Sequence, residues 1–407
     1  MSRRLLTSIG VLVAVIALVK FAPAFVAGQS SASGDPAPKK ETAKKAGPAP
    51  RTPWGEPDLQ GIWTDEYQTP LQRPARFANR EFFTEEERAE LDARRGAMIG
   101  RDRRGAARSE RDVAGAYNAV FESVRPTGRR TSLVVDPPDG KIPPRTPDAE
   151  KRTETYRTFQ LSLLQATVTC KNQEAGCRGG KYGPPSPRRA EISPVYNTDR
   201  LNRTDGPEDR SLPERCLQGG LPDFAGFRRI VQSPHSVAIS YDTGQGQGWQ
   251  RIVPVTALPH LPSHIRQWWG DSRGRWDGDT LVIDVANFTP KTEYQGSREN
   301  LHLVERWTRT DANTIEYAVT IDDPTTWTRP WTVKQELRRQ PEQANRIYYE
   351  PRCHEGNYGL AGMHVNSRAE ERDFAAGRGP DPATRDNATA GGGGGDRPEA
   401  DPFQTAR

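Results

Sequence analysis

From residue 226 onward apolar and polar residues alternate, which is the period of a strand that buries one face. Arg229–Gln232, Ser236–Tyr241, Trp249–Val255, Thr280–Ala286, Leu301–Arg309, Thr314–Ile321, Trp331–Leu337 and Ile347–Glu350 read as strands. Turn signals such as Asp277-Gly278 and Asp311-Ala312-Asn313 separate neighbours. No helical crossover fits in such gaps, so the pairing should be antiparallel. The pattern predicts a mainly β chain, an antiparallel meander forming a barrel or a sandwich.

Before residue 226 the apolar stretches are short and scattered. Thr84-Glu85-Glu86-Glu87 is a capping box, a threonine whose hydroxyl caps the first turn and a glutamate three residues on that bonds back, and it opens a helix to about Arg95. Thr146-Pro147 starts a second helix, in which Tyr156, Phe159, Leu161, Leu163 and Leu164 suit one buried side. Between them Thr131–Val135 reads as a strand that Asp139-Gly140 turns back. The rest, rich in proline and arginine, predicts a helix- and loop-rich portion wrapped over the sheet.

The ends follow different rules. Arg3 and Arg4, the apolar run Leu5–Val19 and the small residues Val26-Ala27-Gly28 compose a cleavable secretory signal over residues 1–28. The run is too short to span a bilayer and Lys20 interrupts it, so no stable membrane anchor is expected after cleavage. Ser2-Arg3-Arg4-Leu5-Leu6 also fits twin-arginine export. Residues 29–52 and 373–407 hold too little apolar surface to offset the entropy of ordering and are expected to be a disordered linker and tail. That leaves 53–225 as the helix- and loop-rich portion and 226–372 as the β domain. The formal charge of +5 includes +3 from the signal, +3 from the linker and −2 from the tail, so the folded part lies near +1. Such a balance argues against nucleic acid as a partner.

Export makes the four cysteines, Cys170, Cys177, Cys216 and Cys353, candidates for two disulfides. The short spacer favours Cys170 with Cys177 and leaves Cys216 for Cys353. No spacing is C-x-x-C, and His260 and His264 are separated by Pro262, so no metal site is predicted.

The strand register singles out candidate chemistry. Glu305 shares the apolar face of its strand with Leu301, Leu303 and Trp307, and Gln335 shares that of Trp331, Val333 and Leu337. A carboxylate so buried is either held by an arginine or works as an acid or base with a raised pKa. His264 and His354 are its candidate catalytic partners. The loop from Pro259 to Trp269 gathers His264, Arg266, Trp268 and Trp269, and with Gln335 and Trp331 it is the expected ligand-binding surface. No phosphate-binding loop, dinucleotide fingerprint or nucleophile elbow is present, so the cofactor, if any, stays unknown.

Two resemblances add to this reading. Gly61-Ile62-Trp63 has the G-x-W spacing of the first strand of lipocalin-like barrels, which implies a Trp63 at the barrel floor. Asn300–Arg306, Asp322–Trp331 and Cys353–Gly359 resemble a family of exported bacterial proteins of unassigned activity, which implies a periplasmic or surface setting in a Gram-negative cell. The expected function is binding of a small organic or saccharide ligand in an aromatic-rich cleft. A hydrolase or lyase built on a Glu/His pair, and an envelope scaffold without a ligand, are the alternatives.

Overall fold

The computed structural model describes residues 49–98, 125–196, 201–212, 214–217, 220–224, 226–244, 247–340 and 358–386. The expected signal, the linker up to residue 48, the strand Ile347–Glu350, and Cys353 and His354 lie outside them. The strands are β1 (Gly61–Thr64), β2 (Val134–Asp136), β3 (Phe227–Ser233), β4 (Ser236–Gly244), β5 (Gln247–Pro254), β6 (Asp271–Asp277), β7 (Thr280–Ala286), β8 (His302–Asp311), β9 (Thr314–Asp322) and β10 (Trp331–Arg339). The helices are α1 (Glu85–Met98), α2 (Pro147–Leu164), the one-turn α3 (Val168–Lys171) and α4 (Tyr358–Ala375).

All ten strands belong to one antiparallel sheet in the order β5-β4-β3-β1-β10-β9-β8-β7-β6, with β2 beside β10. It is not one sequential meander. Two meanders, β3–β5 and β6–β10, are joined by β1, which pairs Gly61 with Ile230 on one side and Trp63 with Arg339 on the other. The free edges of β5 and β6 meet: the Thr256 amide donates to the Gly274 carbonyl at 3.0 Å, and the sheet nearly closes into a barrel. Gly274 permits this approach, because a Cβ there would lie 3.0 Å from Val253 Cγ1.

The inward residues of both meanders form one core around Trp63, Tyr241, Trp249, Trp307, Tyr317 and Trp331. β6 escaped the sequence reading because Asp-Ser-Arg-Gly-Arg-Trp-Asp carries almost no apolar alternation. Its backbone is recruited by seven residue pairs to β7 and by the seam with β5.

Both predicted helices form at the predicted caps. The Thr84 amide donates to Glu87 Oε2 at 2.9 Å and the Glu87 amide to Thr84 Oγ1 at 3.3 Å, the reciprocal pair of a capping box. Thr146 caps α2 through the Ala149 amide at 3.2 Å, and its own amide bonds the Thr326 carbonyl at 3.0 Å, tying the helix to the β9–β10 loop. Cys170 and Cys177 form a disulfide, and Cys216 is also disulfide-bonded. The ordered chain continues past 372: α4 runs to Ala375 and a 3₁₀ turn spans Pro382–Thr384, capped by Asp381. Residues 373–386 of the expected tail thus belong to the described structure.

Candidate functional site

Glu305 is 0 % exposed and reaches into the barrel from β8. Its Oε2 meets Arg251 Nη2 from β5 at 2.5 Å, and its Oε1 accepts from the Tyr317 hydroxyl at 2.7 Å. β5 and β8 are not sheet neighbours, so this ion pair crosses the interior. Burial disfavours the Arg251 charge, but Glu305 outweighs it and raises the arginine pKa further. Burial, reinforced by Glu305, holds the Tyr317 phenol well above its usual range, so it stays protonated and donates. With both oxygens engaged and no solvent contact, the carboxylate is arranged as the buried partner of Arg251 and Tyr317.

Gln335 also faces inward. Its Nε2 donates to Asp65 Oδ2 at 3.0 Å and to the Phe224 carbonyl at 2.9 Å. Burial lifts Asp65 to about 6 against the opposing fields of Arg125 and Arg228. Above this layer Tyr241 stacks on Trp249 at 4.1 Å between centroids, and Trp249 on Trp269 at 4.8 Å. Trp269 thus closes one end of the filled interior. Trp331 is fully buried, edge-on to Trp327 and stacked on Tyr294.

Trp268, beside Trp269 but turned from it, walls a different space. A shallow recess of about 10 Å³, room for one water molecule, is lined by Leu221, Trp268, Phe288, Glu293, Tyr294 and Arg298, among others. The Tyr294 hydroxyl is shut off from solvent and has no hydrogen-bond partner among the described residues, and burial raises its pKa beyond the usual phenol range. The segment is held from behind by Asp323, which accepts from Ser297 Oγ at 2.6 Å, Thr325 Oγ1 at 2.6 Å and Thr326 Oγ1 at 2.7 Å. Burial alone would raise the Asp323 pKa, but these bonds hold it below the ordinary value. Asp323 belongs to the Asp322–Trp331 motif, whose spacing is thus explained by a loop knot and two core tryptophans.

The loop that carries Trp268 and Trp269 is fastened to the outside of the barrel. His260 lies between Asp271 Oδ2 at 2.9 Å and Asp284 Oδ1 at 2.6 Å, and His302 Nε2 meets the same Asp284 at 3.2 Å. The Leu261 amide adds a bond to Asp271 at 2.9 Å. Hydrogen bonding from His302, joined by His260, outweighs burial and lowers Asp284 from 3.8 to about 2. The same bond raises His302 above 6.5. The raised histidine stabilises the fold fully below its unfolded value near 6.5 and loses that contribution as pH rises through its folded value. The depressed aspartate contributes above 3.8 and loses it as pH falls through about 2. The fastening is therefore strongest between about pH 4 and 6.5. Because the cluster is partly exposed, the effect is under about 1 kcal/mol. Thermal melts should show Asp284→Asn less stable than wild type at pH 5.5, with the gap narrowing by pH 9. A gap that stays constant with pH rejects this account.

The residues expected to form one site divide into three places. Glu305 and Gln335 sit in the interior network, Trp269 and Trp331 in the core, and Trp268 in the recess wall. Arg266 lies nearby, its Nη1 donating to the Phe288 and Glu299 carbonyls at 3.4 and 2.5 Å. His264 is exposed on the loop and makes no contact with Glu305, while His354 lies outside the described residues. Among those residues no group of three or more His, Cys, Asp or Glu is placed to hold a metal ion, and no helix is long and apolar enough to cross a membrane.

No family profile and no curated protein matches the chain. A crystal structure of a secretary abundant heat soluble protein from Ramazzottius varieornatus is similar over 28 % of this chain and 70 % of that one, at 11 % identity and a TM-score of 0.20. Overlap that slight carries no argument, and the barrel rests on the strand order above.

Tyr294 and Arg298 were missed by sequence reasoning. Both fall in an irregular segment between β7 and β8, where no periodicity marks which side chains turn inward. The one available signal was the run Lys291 to Arg298, polar yet interrupted by a tyrosine.

Proposed function

We propose that this is an exported protein of the periplasm or cell surface that binds a small, planar organic ligand against the aromatic wall at Trp268. The observation that carries the reading is that wall: half-buried Trp268, with Leu221, Phe288 and Leu301, borders a shallow recess of the surface. A planar ring laid on it would bury apolar surface of both partners. The disulfide between Cys170 and Cys177 is consistent with export. The Glu305–His264 form of the acid–base alternative is less favoured, since Glu305 is engaged by Arg251 and Tyr317 and His264 is exposed on its loop.

Titration with a panel of one- and two-ring aromatic amides and acids, followed by tryptophan fluorescence, should give saturable binding. Trp268→Ala should weaken it by about tenfold, the equivalent of about 1.4 kcal/mol. A panel without binders, or binding indifferent to Trp268→Ala, would reject the recess as the ligand site.

A further inference from the structure

Asp65 directly follows β1 and Gln335 faces inward from β10, so the two side chains meet where β1 joins the meanders. The backbones of β1 and β10 pair at only two positions, Trp63 with Arg339 and Thr64 with Arg338, which gives side-chain bonds weight at this junction. Both side chains are buried. Gln335 Nε2 donates to Asp65 Oδ2 and to the Phe224 carbonyl, and because that carbonyl only accepts, the orientation of the amide is fixed. Both amide hydrogens are thereby engaged. Gln335 Oε1 is left buried without a hydrogen-bond partner among the described residues, and so is Asp65 Oδ1. Two side chains already joined by one bond thus hold two orphaned acceptors, and a single proton between them would satisfy both.

The charged neighbours leave that position open. Arg125 pairs with Oδ2, the oxygen that also accepts from Gln335, and donates to the Asp65 main-chain carbonyl at 3.3 Å. Arg228 on β3 acts on Asp65 through its field and has Asp223 at 3.8 Å. A proton on Oδ1 therefore disturbs neither arginine contact. Burial outweighs both arginines and raises Asp65 to about 6.

We propose that Asp65 carries a proton on Oδ1 and donates it to Gln335 Oε1, closing a two-bond acid–amide ring that clamps β1 to β10 and makes the junction of the two meanders tighten in acid and loosen in alkali. Loss of the proton leaves a buried carboxylate oxygen and an amide oxygen with no donor for either. Because the folded value lies above the unfolded 3.8, the contribution is fully present below 3.8 and is lost as pH rises through about 6. The clamp is independent of where a ligand binds.

The test is carbon-detected NMR of the full chain labelled with 13C at aspartate and glutamine, titrated from pH 4 to 8. The Asp65 carboxyl, assigned through its own Cα, should titrate with a midpoint near 6, and the Gln335 side-chain carbonyl should shift with the same midpoint. Urea melts supply a second readout. In Asp65→Asn an amide donates to Gln335 Oε1 at every pH; relative to that variant, the wild-type unfolding constant should be about tenfold larger at pH 8 than at pH 5. An Asp65 midpoint below about 5 overturns the proposal. A midpoint near 6 with no matching change at Gln335 also overturns it, since burial alone would then hold the proton. If Asp65→Asn does not fold, the two wild-type titrations decide.

Discussion

Glu305→Ala is expected to destabilise the protein by about 3–5 kcal/mol, because it leaves Arg251 charged, buried and unpaired in the barrel interior. Arg251 is 7 % exposed and its Nε already lacks a partner, so little solvent can enter to compensate. Tyr317 would lose the acceptor of its hydroxyl in the same step. The double variant Glu305→Leu/Arg251→Met should recover most of the loss, since apolar residues of similar volume remove both desolvation penalties together. Urea denaturation of the three proteins measures both effects. A single-variant loss below about 1 kcal/mol, or a double variant no better than the single, would show that the ion pair is not what the interior is built around.

Trp63→Ala should cost a comparable amount, about 3–5 kcal/mol, through the cavity left in the core. Trp63 is 0 % exposed, donates from Nε1 to the Leu59 carbonyl at 2.8 Å and lies under the Arg309 guanidinium, 5.2 Å from its ring. It sits on β1, the strand that joins the two meanders between β3 and β10. Loss of its packing therefore weakens the junction of the whole sheet. Trp63→Phe, which keeps an aromatic filler, should lose clearly less. The experiment is a pair of denaturant melts; if the alanine and phenylalanine variants are equally stable, packing at the junction is not limiting.

Alternation exposed most of β3–β5 and β7–β10, since one face of each is buried against a common core and a period of two survives in the residues. The helix caps at Thr84 and Thr146 were equally legible, because a cap is satisfied within four residues of chain. The G-x-W spacing pointed to β1 though only four residues long. Strand β6 was hidden by its polar composition. His264 was drawn into the site because it is titratable and near two tryptophans in sequence, but the loop turns it to solvent.

The sequence by itself determined the local matters: strand period, helix starts, the Cys170–Cys177 pairing, and that Glu305 and Gln335 face the core. Each depends on residues a few positions apart. The tertiary structure alone decided that Arg251 is the partner of Glu305, that β1 joins two meanders, and that His260 and His302 share Asp284. It also placed Tyr294 and Arg298 together in the recess. Those pairings cross sheet distances of 18 to 54 residues for the charged groups, and long-range partners are chosen by how strands register around a closed core. No local period encodes that register.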